Sequence, residues 1–270
     1  MSSSSLSVVI LAAGFGTRMK SQTTKVLHRA GGLTLVEHVV RTALTIAPAD
    51  RIVTVVGHQS ERVAAAVTPY GVRTALQDVP RGTGHALRCA REAAPADGHL
   101  VVLYGDVPLL SEATLARLVM QQVSGNAAAT VLTAELEDPA AYGRIIRGDD
   151  GGVEAIVEYK AANEAQRAIN EINSGIYCFD AALLWRHIDS ITTNNPAGEF
   201  YLTDMVEILR AHGHRVDGQI MADSSELLGI NTKVELAEVD RLFRARKATE
   251  LMLDGVTIER PETVTSINIY

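Results

Sequence analysis

Leu6-Ser7-Val8-Val9-Ile10-Leu11-Ala12-Ala13-Gly14-Phe15-Gly16-Thr17-Arg18-Met19, with Lys25 six residues on, sets the fold class. The run Leu6–Ala13 is short and almost continuously apolar, the pattern of a strand buried on both faces. Gly14 and Gly16 end it in a turn where backbone N–H groups can approach an anion without a Cβ in the way. Arg18 can fork two phosphate oxygens, and Lys25 supplies a movable point charge. Two commoner phosphate loops are excluded. A Walker loop needs Gly directly before its Lys, and Met19 precedes Lys20. A dinucleotide fingerprint needs a third Gly where Met19 stands.

Working outward, strands and helices alternate. Thr34-Leu35-Val36-Glu37 is a capping box, followed by Val36, Val39, Val40, Ala43, Leu44 and Ala47 on one helical face. Arg51–Val56 is a strand, and Ser60 is expected to cap the helix after it. Val72–Leu76 is a strand, Gly84–Ala94 a helix, and Leu100–Tyr104 a buried strand ending at Gly105-Asp106. Ser111 caps a helix bearing Leu115, Leu118 and Val119. This order predicts an α/β, Rossmann-like fold with a mainly parallel central sheet, whose ligands bind beyond the carboxyl ends of the strands.

The second half predicts strands at Ala127–Leu136, Val153–Tyr159 and Ser174–Phe179. Asp180 caps a helix with Leu183, Leu184 and Ile188, and Leu202–Leu209 is a further short helix. Thr232-Lys233-Val234-Glu235 is another capping box, opening a helix to about Leu253 with Leu236, Val239 and Phe243 as its stripe.

Composition sets bounds. The chain has 270 residues and is 47% apolar, enough for a sizeable core. Its formal charge is −7, so no global basic field for nucleic acid exists. Cys89 and Cys178 form no metal or redox spacing and are expected to be buried apolar residues. No run approaches the ~20 apolar residues of a membrane span, and Met1–Ser5 lacks a signal-peptide pattern; a cytoplasmic protein without membrane or nucleic-acid partners is expected. His28, His58 and His85 lack metal spacing and are given structural or surface roles. The basic run Arg241, Arg244, Arg246 and Lys247 is expected to be a solvated helix face.

The full string through Met19, with Lys25-Val26-Leu27, resembles the signature of the sugar nucleotidyltransferase family. Further strings carry the resemblance: Gln77 with Gly82-Thr83-Gly84-His85-Ala86, Val102–Leu109, Tyr142-Gly143-Arg144-Ile145, Ile156-Val157-Glu158, Glu171–Tyr177, Gly198–Asp204, and Gly229-Ile230-Asn231. They are most similar to the N-acetylglucosamine-1-phosphate uridyltransferase branch. The resemblance implies uridylyl transfer from UTP to N-acetylglucosamine-1-phosphate, giving UDP-N-acetylglucosamine and pyrophosphate for cell-envelope synthesis, with Mg2+. It implies that Arg18, Lys25 and Asp106 are catalytic and that Asp106 and Asn231 hold the metal. Gly14, Gln77, Gly82 and Thr83 would meet the uracil, and Leu11, Ala12, Ala13, Gly16 and Gly105 would complete the nucleotide side. Tyr104, Gly143, Glu158 and Asn173 would meet the sugar phosphate.

The resemblance also implies a domain plan: residues 1–231 as the transferase, 232–254 as a linker helix, and 255–270 as the lead-in to a left-handed β-helix. A chain of that plan is a separated uridyltransferase half without acetyltransferase activity. It would be a homotrimer with the β-helix complete and a monomer or weak oligomer otherwise. Four positions depart from the family pattern: Phe15, Thr24 (usually Pro), Ala141 (usually Gly) and Ser174 (usually Thr). Two alternatives keep the fold: another sugar or base, or a silent nucleotide-sugar sensor. Arg18, Lys25 and Asp106 together argue against the sensor.

Overall fold

The computed structural model describes residues 5–264. Strand β1 (Leu6–Ala12) is central, and its side chains alternate between two cores. Val9 and Leu11 join one cluster, and Val8, Ile10 and Ala12 the other. Burying a Val, Leu or Ile stabilises by roughly 1.5–3 kcal/mol, so a strand apolar on both faces is held from both sides. After β1 come a two-strand hairpin, β2 (Arg29–Ala30) and β3 (Leu33–Thr34), and helix α1 (Leu35–Leu44). The Thr34–Glu37 capping box is formed. The parallel block continues with β4 (Ile52–Val56), α2 (Ser60–Val67), β5 (Arg73–Leu76), α3 (Thr83–Cys89), β6 (His99–Tyr104) and α4 (Glu112–Gly125).

The second half holds β7 (Ala129–Glu135), β8 (Arg144–Arg147), β9 (Val153–Val157), α5 (Glu164–Arg167), β10 (Glu171–Asp180) and α6 (Ala181–His187). Then come α7 (Asp204–Ala211), β11 (Val216–Ile220) and α8 (Lys233–Leu253). The main sheet runs β11-β7-β10-β6-β1-β4-β5, with β8 and β9 attached beside β10. All strands of this main path share one direction except β10, which runs antiparallel to both β6 and β7. The sheet is therefore mainly parallel. Between Asn173 and Tyr177 the register of β10 shifts, a β-bulge.

Helix α8 packs through Val239, with Leu236, Leu242 and Phe243 partly buried, on Met19, Leu35, Leu109 and Ile230. Its basic run is largely ion-paired: Arg241 with Glu238, Arg244 with Asp240, Lys247 with Glu250, while Arg246 donates to the Leu109 carbonyl. Past it, residues 255–264 hold one 3-10 turn, Pro261–Thr263, and no strand. The rest of the expected β-helix lead-in, residues 265–270, lies outside the described residues. No helix among the described residues is long and apolar enough to cross a membrane.

Three expectations are corrected. Ser60 does not cap α2; Gln59 does so in the left-handed region, without a side-chain cap bond. The Gln59 amide is drawn away to Gln22, Thr24 and Arg62. Cys178 is buried, but Cys89 is half-exposed at the last turn of α3. Strands β2, β3, β8 and β11 were not expected, and α3 stops at Cys89 rather than Ala94.

Candidate active site

The turn after β1 opens at the carboxyl end of the sheet. Gly14 is exposed, and the Gly16 carbonyl accepts from Met19 N–H at 3.0 Å, starting the short turn that carries Arg18. Met19 is 1% exposed and anchors that turn under α8. Thr24 stands at φ −57°, a value proline itself would impose. Unlike proline it has donors: its hydroxyl donates to the Gly14 carbonyl at 3.2 Å, and its N–H to Gln59 Oε1 at 3.3 Å. The departure at Thr24 thus keeps the backbone shape and adds a tie to the Gly14 turn. Phe15 lies against His58, ring centroids 4.9 Å apart.

Asp106 follows β6 after Gly105, whose N–H donates to the Leu11 carbonyl at 2.9 Å. The Asp106 carbonyl accepts from Ile230 N–H at 3.1 Å, which brings the segment before α8 alongside. Asn231 is held from the other side, its N–H donating to Glu235 Oε2 of the second capping box at 2.6 Å. The four expected charged and metal-facing side chains meet there. Lys25 Nζ contacts Asp106 Oδ2 and donates to Asn231 Oδ1 at 3.1 Å. Arg18 donates to the same Asn231 oxygen at 2.7 Å. Three segments, 14–25, 104–106 and 229–231, are brought to one point.

This point is one end of a cleft of about 390 Å³, of the size that takes a small molecule. Leu11, Ala12, Ala13, Gly14, Arg18, Lys25, Gln77, Gly82, Thr83, Tyr104, Asp106 and Asn231 all line it. Gly16 and Gly105 do not line it; they sit close against lining residues, a Cβ on Gly16 falling 2.5 Å from Lys25 Cβ and one on Gly105 3.1 Å from Ala12 Cβ. Sequence reasoning missed Pro80 and Glu199 as lining residues. Glu199 sits in the quoted string Gly198–Asp204, but nothing local says that this segment folds back onto the Gly82 turn.

Gly143, Glu158 and Asn173 do not line this cleft but gather with one another: a Cβ on Gly143 would lie 3.7 Å from both Asn173 Cβ and Glu158 Oε1. Asn173 N–H donates to the Gly143 carbonyl at 2.9 Å, and its side chain donates to the Tyr177 hydroxyl at 2.9 Å. At the bulge, Gly175 has φ +83°, and a Cβ there would fall 2.8 Å from the Tyr104 ring. Ser174 Oγ donates to Leu132 O at 2.5 Å and accepts from Ile176 N–H at 3.0 Å, which a threonine hydroxyl could equally do. Burial raises the pKa of Glu158 against a weaker opposing bond from Thr203, and burial pushes the Tyr104 phenol well up. Glu158 also borders a smaller hollow of about 150 Å³ with Tyr201, Thr203 and Asp204. Ala141 is exposed, and nothing in the structure explains its departure.

His28 approaches Lys233 and His38 stacks on Phe243 at 4.0 Å. Among the described residues no group of three or more His, Cys, Asp or Glu side chains could hold a metal.

Comparison with known proteins decides the family. A profile described as the MobA-like NTP transferase domain matches residues 8–174. The chain belongs to the MobA-like NTP transferase family. That matched stretch includes the Gly14 turn, Gln77, Asp106 and the Gly143 segment. The chain is 54% identical over 261 residues to "Bifunctional protein GlmU" of Solibacter usitatus, covering 96% of this chain and 56% of the relative. Its identity to the protein of that name from Streptomyces avermitilis is 49%, covering 95% and 54%. The chain thus spans about half the length of these relatives. A solved Bacillus anthracis chain, provisionally described as a glucose-1-phosphate thymidylyltransferase, superposes with TM-score 0.67 at 20% identity, covering 96% of this chain and 99% of that one. That likeness supports the nucleotidyltransferase fold of this family member.

Proposed function

We propose that this chain transfers a uridylyl group from UTP to N-acetylglucosamine-1-phosphate, releasing pyrophosphate and UDP-N-acetylglucosamine. The observation that carries the proposal is the meeting of Arg18, Lys25, Asp106 and Asn231 at one end of a single cleft. The similarity to proteins named GlmU supports the choice of substrates.

The chemistry asks for positioning rather than for a base. A sugar phosphate has a second pKa of about 6, so its attacking oxygen is mostly ionised at neutral pH. The obstacle is repulsion between two anions, which preorganised positive charge offsets. Arg18 and Lys25 would hold the triphosphate against the Gly14 turn. Gln77 and Gly82 would hold the base at the far end, and Gly143, Glu158 and Asn173 the sugar, with Tyr104 between the two substrates.

A divalent metal fits the donor set. Asp106 Oδ2 and Asn231 Oδ1 both face the Lys25 amine, so one cation can meet both oxygens. Magnesium is usually held by one or two carboxylates plus substrate phosphates and water. Asp106 and Asn231 would hold it, and bound there it would neutralise phosphate charge.

The test is pyrophosphate release with UTP, N-acetylglucosamine-1-phosphate and magnesium, against a panel of other triphosphates and sugar phosphates. The proposed pair should turn over fastest, and activity should vanish on chelation. Faster turnover of another pair would overturn the substrate assignment.

A further inference from the structure

Gln77 is buried at the base of the cleft, 5% exposed, and its amide nitrogen is fully committed. Nε2 donates to the Gly82 carbonyl at 3.2 Å and lies 3.0 Å from His85 Nδ1. An amide nitrogen carries two hydrogens and accepts none, so both are used and Nδ1 must be bare. The His85 proton therefore sits on Nε2, which lies 4.0 Å from Cys89 Sγ. With its nitrogen turned inward, Gln77 leaves Oε1 for the cleft that it lines. That oxygen accepts no hydrogen bond among the described residues, yet it is not among their sealed, partnerless polar atoms.

We infer that His85 is a specificity-determining positioning residue: it locks the Gln77 amide so that only an acceptor faces the base. This rests on the proposed reading of Gln77 as the base-facing side chain. Uracil carries an N–H on its pairing edge, whereas cytosine has a bare ring nitrogen at the same position. Without the His85 nitrogen only the Gly82 carbonyl would hold the amide, which could then rotate by half a turn more readily and offer its NH2 group to cytosine instead. A locked one leaves cytosine with two acceptors face to face, and an unpaired buried polar group is the strongest source of discrimination.

The lock has a protonation state. A second proton on His85 turns Nδ1 into a donor facing a donor: the ring then favours the Gln77 oxygen while the Gly82 carbonyl still favours its nitrogen, and the lock weakens. The groups around the ring are Arg81 before α3, Arg88 and Cys89 further along α3, and the Phe200 ring at 6.1 Å. Burial, then the two arginines, holds the His85 pKa below the ordinary imidazole value. The acceptor form therefore persists through neutral pH and is lost only on acidification below it.

The experiment titrates UTP and CTP, each with magnesium, into the full chain and its variants by calorimetry from pH 5 to pH 8. The wild-type Kd ratio favouring UTP should fall as the pH drops. His85→Leu should lower that ratio by about 10-fold at neutral pH, the scale of one mispaired buried group. His85→Asn keeps an acceptor near the Nδ1 position; it should restore most of the ratio and abolish its pH dependence. A wild-type ratio that is flat with pH, or His85→Leu with the wild-type ratio, overturns the assignment. Gln77→Leu separates the two readings. If it collapses the ratio while His85→Leu does not, only the His85 role falls; if it leaves the ratio intact, the base-facing reading of Gln77 falls as well.

Discussion

The two ends of the active-site region are held by different means. At the proposed phosphate end, four polar side chains from three distant segments touch one another directly. At the proposed sugar end, Gly143, Asn173 and Gly175 are placed by backbone hydrogen bonds and a bulge seated on an aromatic ring. The first end is built on charge and the second on shape. Substitutions that alter charge without altering volume should therefore damage the first, and those that alter volume without altering charge should damage the second.

The largest effect is expected at the charged end. Asp106→Asn keeps the volume and removes the charge, and kcat should fall at least ~10²-fold, the scale for losing one preorganised electrostatic group. A near-normal kcat at saturating magnesium would break the comparison outright. At the other end, Gly175→Ala adds one methyl, 2.8 Å from the Tyr104 ring and at a φ of +83°. The sugar-phosphate KM should rise by roughly 10-fold while UTP binding stays unchanged, as for any misplacement of a positioning group. Equal losses for both substrates would show that the ends are not separable.

A smaller effect sharpens the contrast within the phosphate end. Thr24→Val keeps shape and loses the hydroxyl bond to the Gly14 carbonyl. One hydrogen bond of about 1 kcal/mol predicts a UTP KM raised by about 5-fold, with kcat little changed. An unchanged KM would mean that the turn holds its shape without the tie. The smallest effect concerns stability beside Glu158. Burial, then Glu207 and Glu158, pushes the Asp204 carboxyl up to about 6. A carboxyl that is more basic in the fold than in the unfolded chain stabilises while protonated, and that contribution is lost as pH rises from ~4 through the folded value. The Tm of Asp204→Asn relative to wild type should therefore rise by ~2 °C between pH 4 and pH 7. A constant difference across that range would place the raised pKa in doubt.

The parallel half of the sheet was legible in the sequence because each of its elements declares itself locally. β1 is a continuous apolar run, α1 opens with a capping box, and Ser111 accepts the N-terminal amide its position predicts. The second half was less so. β8 (Arg-Ile-Ile-Arg) and β11 (Val-Asp-Gly-Gln-Ile) are short and half-polar, and pairing with neighbours rather than their own pattern makes them strands. The charged convergence was expected from the motif residues, but the contacts that create it run through the Ile230 backbone and through the bond from Asn231 N–H to Glu235, which the legible capping box alone does not announce. The locked Gln77 amide was also invisible, since a histidine eight residues away on a helix reads as structural until the loop between them is folded.

One set of contacts bears on the order in which the protein matures. The Gly82 turn is stitched to a segment almost 120 positions later: Phe200 N–H donates to Arg81 O at 2.8 Å, Gly84 N–H to Phe200 O at 2.8 Å, and Leu202 N–H to Thr83 Oγ1 at 3.1 Å. The pairing is close enough that a Cβ on Gly82 would meet the Phe200 oxygen at 2.5 Å. During synthesis the nascent chain therefore carries the Gly14 turn and Gln77 long before their neighbouring loop has anything to lean on. The Gly82 wall of the cleft is completed only once Leu202 has been made, so the cleft is finished late, although most of the residues that line it are made first.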